Sequence, residues 1–266
     1  MSLTAQGPAS SAVMSGPGGD MWRMSPSSSE DNAEEQSADL KSLREKIKCL
    51  LEKYDVGSRY THIPLPKASI LLPLLIIQGK PHLLLTVRSM QLKTMPGEVC
   101  FPGGRQENSE EDDIQTALRE AQEEIGLCPE QVQIIGRLVP TFSRSPNSMV
   151  TPVVGIVEST FQPTLNPDEV ADAFLVPLEF FVSTEDYIPM QLNVPPFGSQ
   201  TVHQFFYVDG ETKKRFTIWG LTAYCALMLS VILLEKGPSF DPGFDLERTI
   251  QNYDQLLQMF SKKGKL

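Results

Sequence analysis

Three glutamates pose the first chemical question. In Arg119-Glu-Ala-Gln-Glu-Glu-Ile-Gly-Leu127, a helical turn of 100° per residue puts Glu120, Glu123 and Glu124 within one arc of about 100°. Ile114, Ala117, Leu118, Ala121 and Ile125 fill the adjoining arc and give such a helix an apolar seat. Like charges at this spacing repel, and they destabilise a helix unless something positive lies above them. A hard divalent cation answers that need: Mg²⁺ takes oxygen ligands at about 2.0–2.1 Å and leaves its other positions to waters and substrate phosphates. The chemistry indicated is phosphoryl transfer. A solvated acidic face is the ordinary meaning of a Glu-rich helix. Here, however, Arg, three Glu and Gly at set spacing, with two apolar positions, arise by chance in such a chain on the order of once in 10⁴ or fewer.

The carboxylates must be carried by a framework. Helical spacing predicts a helix over Glu110–Ile125, entered from the glycine-rich turn Phe101-Pro-Gly-Gly104. Ala68–Gln78 and His82–Val87 are apolar strand-like runs joined by Gly79-Lys80-Pro81, which is a hairpin signal. Further strands are expected at Gln133–Leu138, Val150–Glu158, Ala173–Val176, Gln204–Val208 and Phe216–Trp219. Leu43, Ile47, Leu50, Leu51 and Tyr54 mark an amphipathic helix from Leu40, and Ile250, Tyr253, Leu256, Leu257 and Phe260 mark another over Leu246–Ser261. Strands and helices alternate without a regular βαβ repeat, so the expected fold class is α/β with a mixed sheet flanked by helices.

Composition narrows the function classes. Lys and Arg number 23 against 33 Asp and Glu, for a net charge of −10, the wrong sign for a nucleic-acid backbone. The 4 cysteines include no CxxC pair, so neither zinc ligation nor a disulfide framework is indicated, and reduced intracellular thiols are expected. Residues 1–38, rich in Ser, Gly, Pro and acids, read as a disordered leader, with a folded domain over 39–266. The uncharged run Ile218–Leu234 sits at the lower limit of the roughly 17–25 residues that span a bilayer. Gly220, Thr222 and Ser230 dilute it, so a buried core helix is expected and no membrane span.

The box around the glutamates resembles that of the Nudix hydrolases: Gly, five residues, Glu, seven residues, then Arg-Glu-apolar-x-Glu-Glu-x-Gly-apolar. Arg119, Glu120, Glu123, Glu124 and Gly126 match, with Ala121 and Leu127 at the apolar positions. Counting forward from Gly104 puts Glu110 at the first acidic position, and counting back from Arg119 puts Glu111 there; the choice stays open. Upstream, Leu84-Leu-Thr-Val-Arg-Ser89 leads through Lys93 and Gly97 to Phe101-Pro-Gly-Gly104. This is similar to the second signature of the coenzyme A diphosphatase subgroup, with Lys93 in place of an Arg. That subgroup commonly carries the longer box. Looser similarity continues through Asn166-Pro-Asp-Glu-Val170 and Trp219-Gly-Leu-Thr-Ala223.

The resemblance implies a Nudix-type α/β/α sandwich that uses Mg²⁺ or Mn²⁺ to hydrolyse coenzyme A or acyl-CoA to 3′,5′-ADP and (acyl-)4′-phosphopantetheine. The implied metal ligands are Glu120 and Glu124, while Glu123 either completes the cluster or takes a proton. Arg119 is expected to orient a glutamate and Glu169 to add a carboxylate from an opposing loop. Gly103, Gly104, Arg88 and Lys93 are the expected substrate contacts, the last two because Arg engages phosphate oxygens bidentately and Lys acts as a point charge. Two rival readings are a Nudix hydrolase of ADP-ribose or a related nucleotide, and a non-catalytic CoA-binding module. The terminal Gly264-Lys265-Leu266 is close to the Ser-Lys-Leu address of a peroxisomal import receptor. Peroxisomal residence is therefore expected, with cytosol and mitochondrion as alternatives.

Overall fold

The structure, a computed structural model, describes residues 30–108, 111–143, 148–194 and 198–262. Its centre is one mixed sheet. Strand β1 (Lys67–Ile77) turns at Gln78-Gly79 into β2 (Lys80–Arg88), pairing Leu74 with Leu83 antiparallel. On its other side β1 runs parallel to β7 (Ser148–Val157), with Leu71 opposite Val153. Both are apolar on both faces because both faces are covered. Short strands β3 (Val99–Cys100) and β4 (Gly103–Arg105) pair with β2 and β1. Strands β5 (Val132–Arg137) and β6 (Thr141–Ser143) pair with β7, and β8 (Val170–Pro177) pairs antiparallel with β2.

Alternate residues of the same strands build two cores. Leu71, Leu75, Leu84, Val153 and Leu175 pack beneath α2 (Asp113–Ile125), through its Ala117, Ala121 and Ile125. Leu72, Leu74, Leu83, Leu85, Val154 and Phe174 face the other way. There they meet α1 (Glu30–Glu52) and α3 (Gly220–Leu234), together with the hairpin of β11 (Gln204–Val208) and β12 (Arg215–Trp219). Phe216 of that hairpin stacks on Phe174 with ring centroids 3.7 Å apart. The result is the α/β/α sandwich, and α3 is buried nearly all round, which is why it lacks a polar stripe. Among the described residues no helix is long and apolar enough to cross a membrane.

The departures from expectation have local causes. Helix α1 begins at Glu30, upstream of the expected boundary at 39, because Glu-, Ala- and Gln-rich sequence without Gly or Pro sustains a helix. Helix α2 begins at Asp113; Asp112 caps it, its side chain accepting from the Gln115 amide at 2.8 Å while Gln115 Oε1 accepts the Asp112 amide at 2.9 Å. Glu110 lies outside the described residues. The run from Ile218 splits at Trp219–Gly220, where strand passes to helix at a Gly with φ of 62°. The C-terminal pattern resolves into a 3₁₀ turn at Leu246–Arg248 and helix α4 (Thr249–Lys262). Strands β3, β4 and β6, and the hairpin of β9 (Met190–Val194) with β10 (Gly198–Val202), were not expected; they are too short or too polar to show a period of two.

Candidate active site

The floor of the site is the Gly-Gly turn. Strand β4 crosses β1 so closely that a Cβ at Gly103, whose φ is 154°, would strike the Ser69 carbonyl. A Cβ at Gly104 would overlap the Glu120 carboxylate itself. The Gly103 amide donates to Glu124 Oε2 at 3.3 Å. The two glycines expected at the substrate thus sit against two of the glutamates and shape the space they occupy.

Arg119 gathers one flank of α2. Its Nε donates to Glu111 Oε1 at 2.8 Å, and its Nη1 lies 3.0 Å from Glu120 Oε1 and 3.1 Å from Glu123 Oε2. Its Nη2 donates to the Arg105 carbonyl at 2.9 Å. Burial opposes the Arg119 charge, but the Glu111 bond and the charges of Glu120 and Glu111 outweigh it and hold the guanidinium pKa above its usual value. Burial likewise pushes Glu111 upward, yet the bonds from Arg119 and from the Glu107 amide win and leave its pKa lowered. Glu111 is therefore placed as the ion-pair partner of Arg119. Counting places Glu111 level with Glu110, which lies outside the described residues.

The other flank is short of positive charge. Glu124 is only 6% exposed, and its pKa is pushed up to about 8 by burial first and the Glu120 charge second. The Gly103 amide and Arg88 relieve it partly, while Glu169 adds to the repulsion. Glu120 is raised by burial and by Glu123 and Glu169, against the pull of Arg119. Glu120, Glu124 and Glu169 thus face one another electrostatically, whereas Glu123 stands half-exposed beside Arg119.

Glu169 comes from the connection between β7 and β8. The Thr164 amide donates to Ile125 O and the Asn166 amide to Glu124 O, each at 2.9 Å, so the turn is stitched to the last turn of the helix. Asn166 then accepts the amides of Glu169 and Val170 on its carbonyl. The signal for this was present as Asn166-Pro167, a turn-initiating pair. Arg88, at the end of β2, donates from Nε to Thr94 O at 3.2 Å, and its charge reaches Glu124. Lys93 is exposed on the loop beyond.

The donor set fits a hard divalent cation. Oxygen-only carboxylates, one of them buried with its pKa pushed up by burial and by its acidic neighbours, are what such an ion binds and relieves. As the side chains stand, with Arg119 holding Glu120 and Glu123, no group of three acidic, His or Cys side chains among the described residues is set at ligand spacing.

The chain is similar to known proteins. The NUDIX domain matches residues 68–194. The chain is 43% identical over 215 residues to the peroxisomal coenzyme A diphosphatase NUDT7 of Mus musculus, covering 80% of this chain and 90% of that one. It is 38% identical over 165 residues to Nudix hydrolase 15, mitochondrial, of Arabidopsis thaliana, covering 61% of this chain and 56% of that one. A Nudix hydrolase named NudL from Pectobacterium atrosepticum is 40% identical over 172 residues, covering 64% and 84%. The sandwich, its carboxylate helix and these relatives make the chain a member of the Nudix hydrolase family.

Proposed function

We propose that this chain hydrolyses the diphosphate of coenzyme A and its acyl esters, with Mg²⁺ or Mn²⁺, to 3′,5′-ADP and (acyl-)4′-phosphopantetheine. One juxtaposition supports the reading: the buried Glu124 is repelled by the charges of Glu120 and Glu169 and partly relieved by that of Arg88 in the Leu84–Ser89 signature. The mouse relative's name supports the choice of substrate.

In this reading Glu120 and Glu124 hold the cation, with Glu169 opposite them. The ion supplies Lewis-acid polarisation of the diphosphate and neutralises its charge. Glu169 or Glu123 accepts a proton from the attacking water as its oxygen bonds to phosphorus and the P–O–P bridge breaks. Arg119 keeps Glu120 and Glu123 oriented and is itself held by Glu111. Arg88 and Lys93 offer positive charge to the phosphates. Incubating the protein and Mg²⁺ with CoA, acetyl-CoA, ADP-ribose and NADH, and identifying products by mass, tests the reading. Cleavage of ADP-ribose in preference to CoA, or binding of CoA without cleavage, would replace it.

For localisation the proposal is the peroxisome, delivered by an import receptor reading Gly264-Lys265-Leu266. These residues lie outside the described ones. The mouse relative is named peroxisomal and a plant relative mitochondrial. Expressing the protein with and without its last three residues, tagged at the N-terminus, distinguishes the compartments: punctate signal lost on truncation supports the address, and diffuse signal for both rejects it.

A further inference from the structure

We infer that Ser89 is a positioning residue for the reaction: it pins the turn that carries Glu169, so that this carboxylate faces Glu120 and Glu124. The inference rests on the diphosphatase reading and on the part of Glu169 in it.

Ser89 is 4% exposed, although its side chain is polar. Its amide donates to Glu169 O at 2.8 Å and its hydroxyl to Pro167 O at 3.0 Å. Both bonds enter the same turn, two residues apart, on either side of Asp168. Pro167 has no N–H, so its carbonyl is the backbone group by which that corner can be held. The need for a clamp arises in the sheet. The β2–β8 ladder runs in register to Val87 opposite Asp172 and then shifts, with Arg88 opposite Val170 and Ala171 left over. Such a bulge re-aims the chain beyond it. Immediately past it, Ser89 takes hold again.

The far end of the turn is fixed separately, by the Thr164 and Asn166 amides on the carbonyls of Ile125 and Glu124. Glu169 therefore sits on a bracket with one foot on α2 and one on β2, and Ser89 is the β2 foot. The Ser89 hydroxyl also accepts the Gln91 amide at 3.4 Å, which ties the start of the Lys93 loop to the same point. An alanine at 89 keeps the amide bond, fills no new space and removes the hydroxyl's link to Pro167 together with its longer contact to the Gln91 amide. The signature's serine is thereby given a task distinct from that of Arg88 beside it.

A double-mutant cycle on the full chain decides the matter, because residues acting through one another are non-additive. Ser89→Ala is expected to lower kcat on CoA about tenfold with KM changed less than twofold, and Ser89→Thr, which keeps the hydroxyl, to recover most of it. In a Glu169→Gln background the same Ser89→Ala change is expected to cost less than twofold. Equal losses in both backgrounds would overturn the inference, as would a loss confined to KM or no loss at all. If Glu169→Gln alone leaves kcat intact, the role of Glu169 falls and the inference with it, while CoA hydrolysis by the parent protein still stands.

Discussion

The Glu120 carboxylate occupies the space in which a side chain at Gly104 would begin. Backbone and catalytic helix are that close because β4 is laid against β1 by glycines. Gly104→Ala is therefore expected to displace a flexible carboxylate and not the fold. Turnover should drop on the order of tenfold or more, about 1.4 kcal/mol in barrier, with the thermal midpoint within a few degrees of the parent's. Unchanged kcat would mean that Glu120 works from another rotamer.

Metal affinity should depend on pH through Glu124. Without a cation its pKa is pushed up to about 8, so below that pH a cation must displace a proton. Mg²⁺ affinity measured by calorimetry is expected to fall by up to about tenfold per unit as pH drops from 8 toward 6. The dependence should flatten, at weaker affinity, in Glu124→Gln. A pH-independent affinity in the parent protein would show that Glu124 is not a ligand.

His203 makes a different pH prediction, away from the site. It is 2% exposed, with Nδ1 3.0 Å from the Tyr187 hydroxyl and Nε2 3.0 Å from the Pro242 carbonyl. Burial lowers its pKa, against the raising effects of the Pro242 bond and Asp241. Folding thus favours the neutral ring, and the unfolded chain binds more protons below its ordinary value. The sign follows: the contribution is complete above about pH 6.5 and is lost as pH falls below it. The fall in thermal midpoint from pH 7 to pH 5 should be smaller in His203→Gln than in the parent; an identical fall would contradict this.

Arg88 and Lys93 are expected to share the phosphates of the substrate. CoA lacking its 3′-phosphate should show a lower kcat/KM, by about tenfold for one charge-assisted contact worth roughly 1.5 kcal/mol. The deficit should shrink in whichever of Arg88→Ala and Lys93→Ala removes the contact. Equal kcat/KM for the two substrates would take both side chains away from that phosphate.

Much of this was legible in the chain because helical period and fixed motif spacing coincide. The stripe of Glu120, Glu123 and Glu124, the seat of Ala117, Ala121 and Ile125 beneath it, and both faces of β1 follow from residue order alone. What was not legible depends on loops. Glu111 and Glu110 were equivalent by counting, and only the fold before Asp112 brings Glu111 to Arg119. Gly103 and Gly104 were expected at the substrate from the motif alone, and their close approach to β1 and to the Glu120 carboxylate depends on the path of β4, which the sequence does not show. Ser89 carried no visible role, since its partners stand 78 and 80 residues away in sequence, on a turn whose position is set by a bulge.

If this chain cleaves the CoA diphosphate with its carboxylate cluster, the buried Glu124 is the side chain whose loss should cost most. The decisive measurement is mass analysis of CoA incubated with Mg²⁺ and either the parent protein or Glu124→Gln. The parent is predicted to yield 3′,5′-ADP and 4′-phosphopantetheine in equal amounts, and Glu124→Gln at least about a hundredfold more slowly, some 2.7 kcal/mol in barrier. Intact CoA after incubation with the parent, or equal rates for the two proteins, would contradict it.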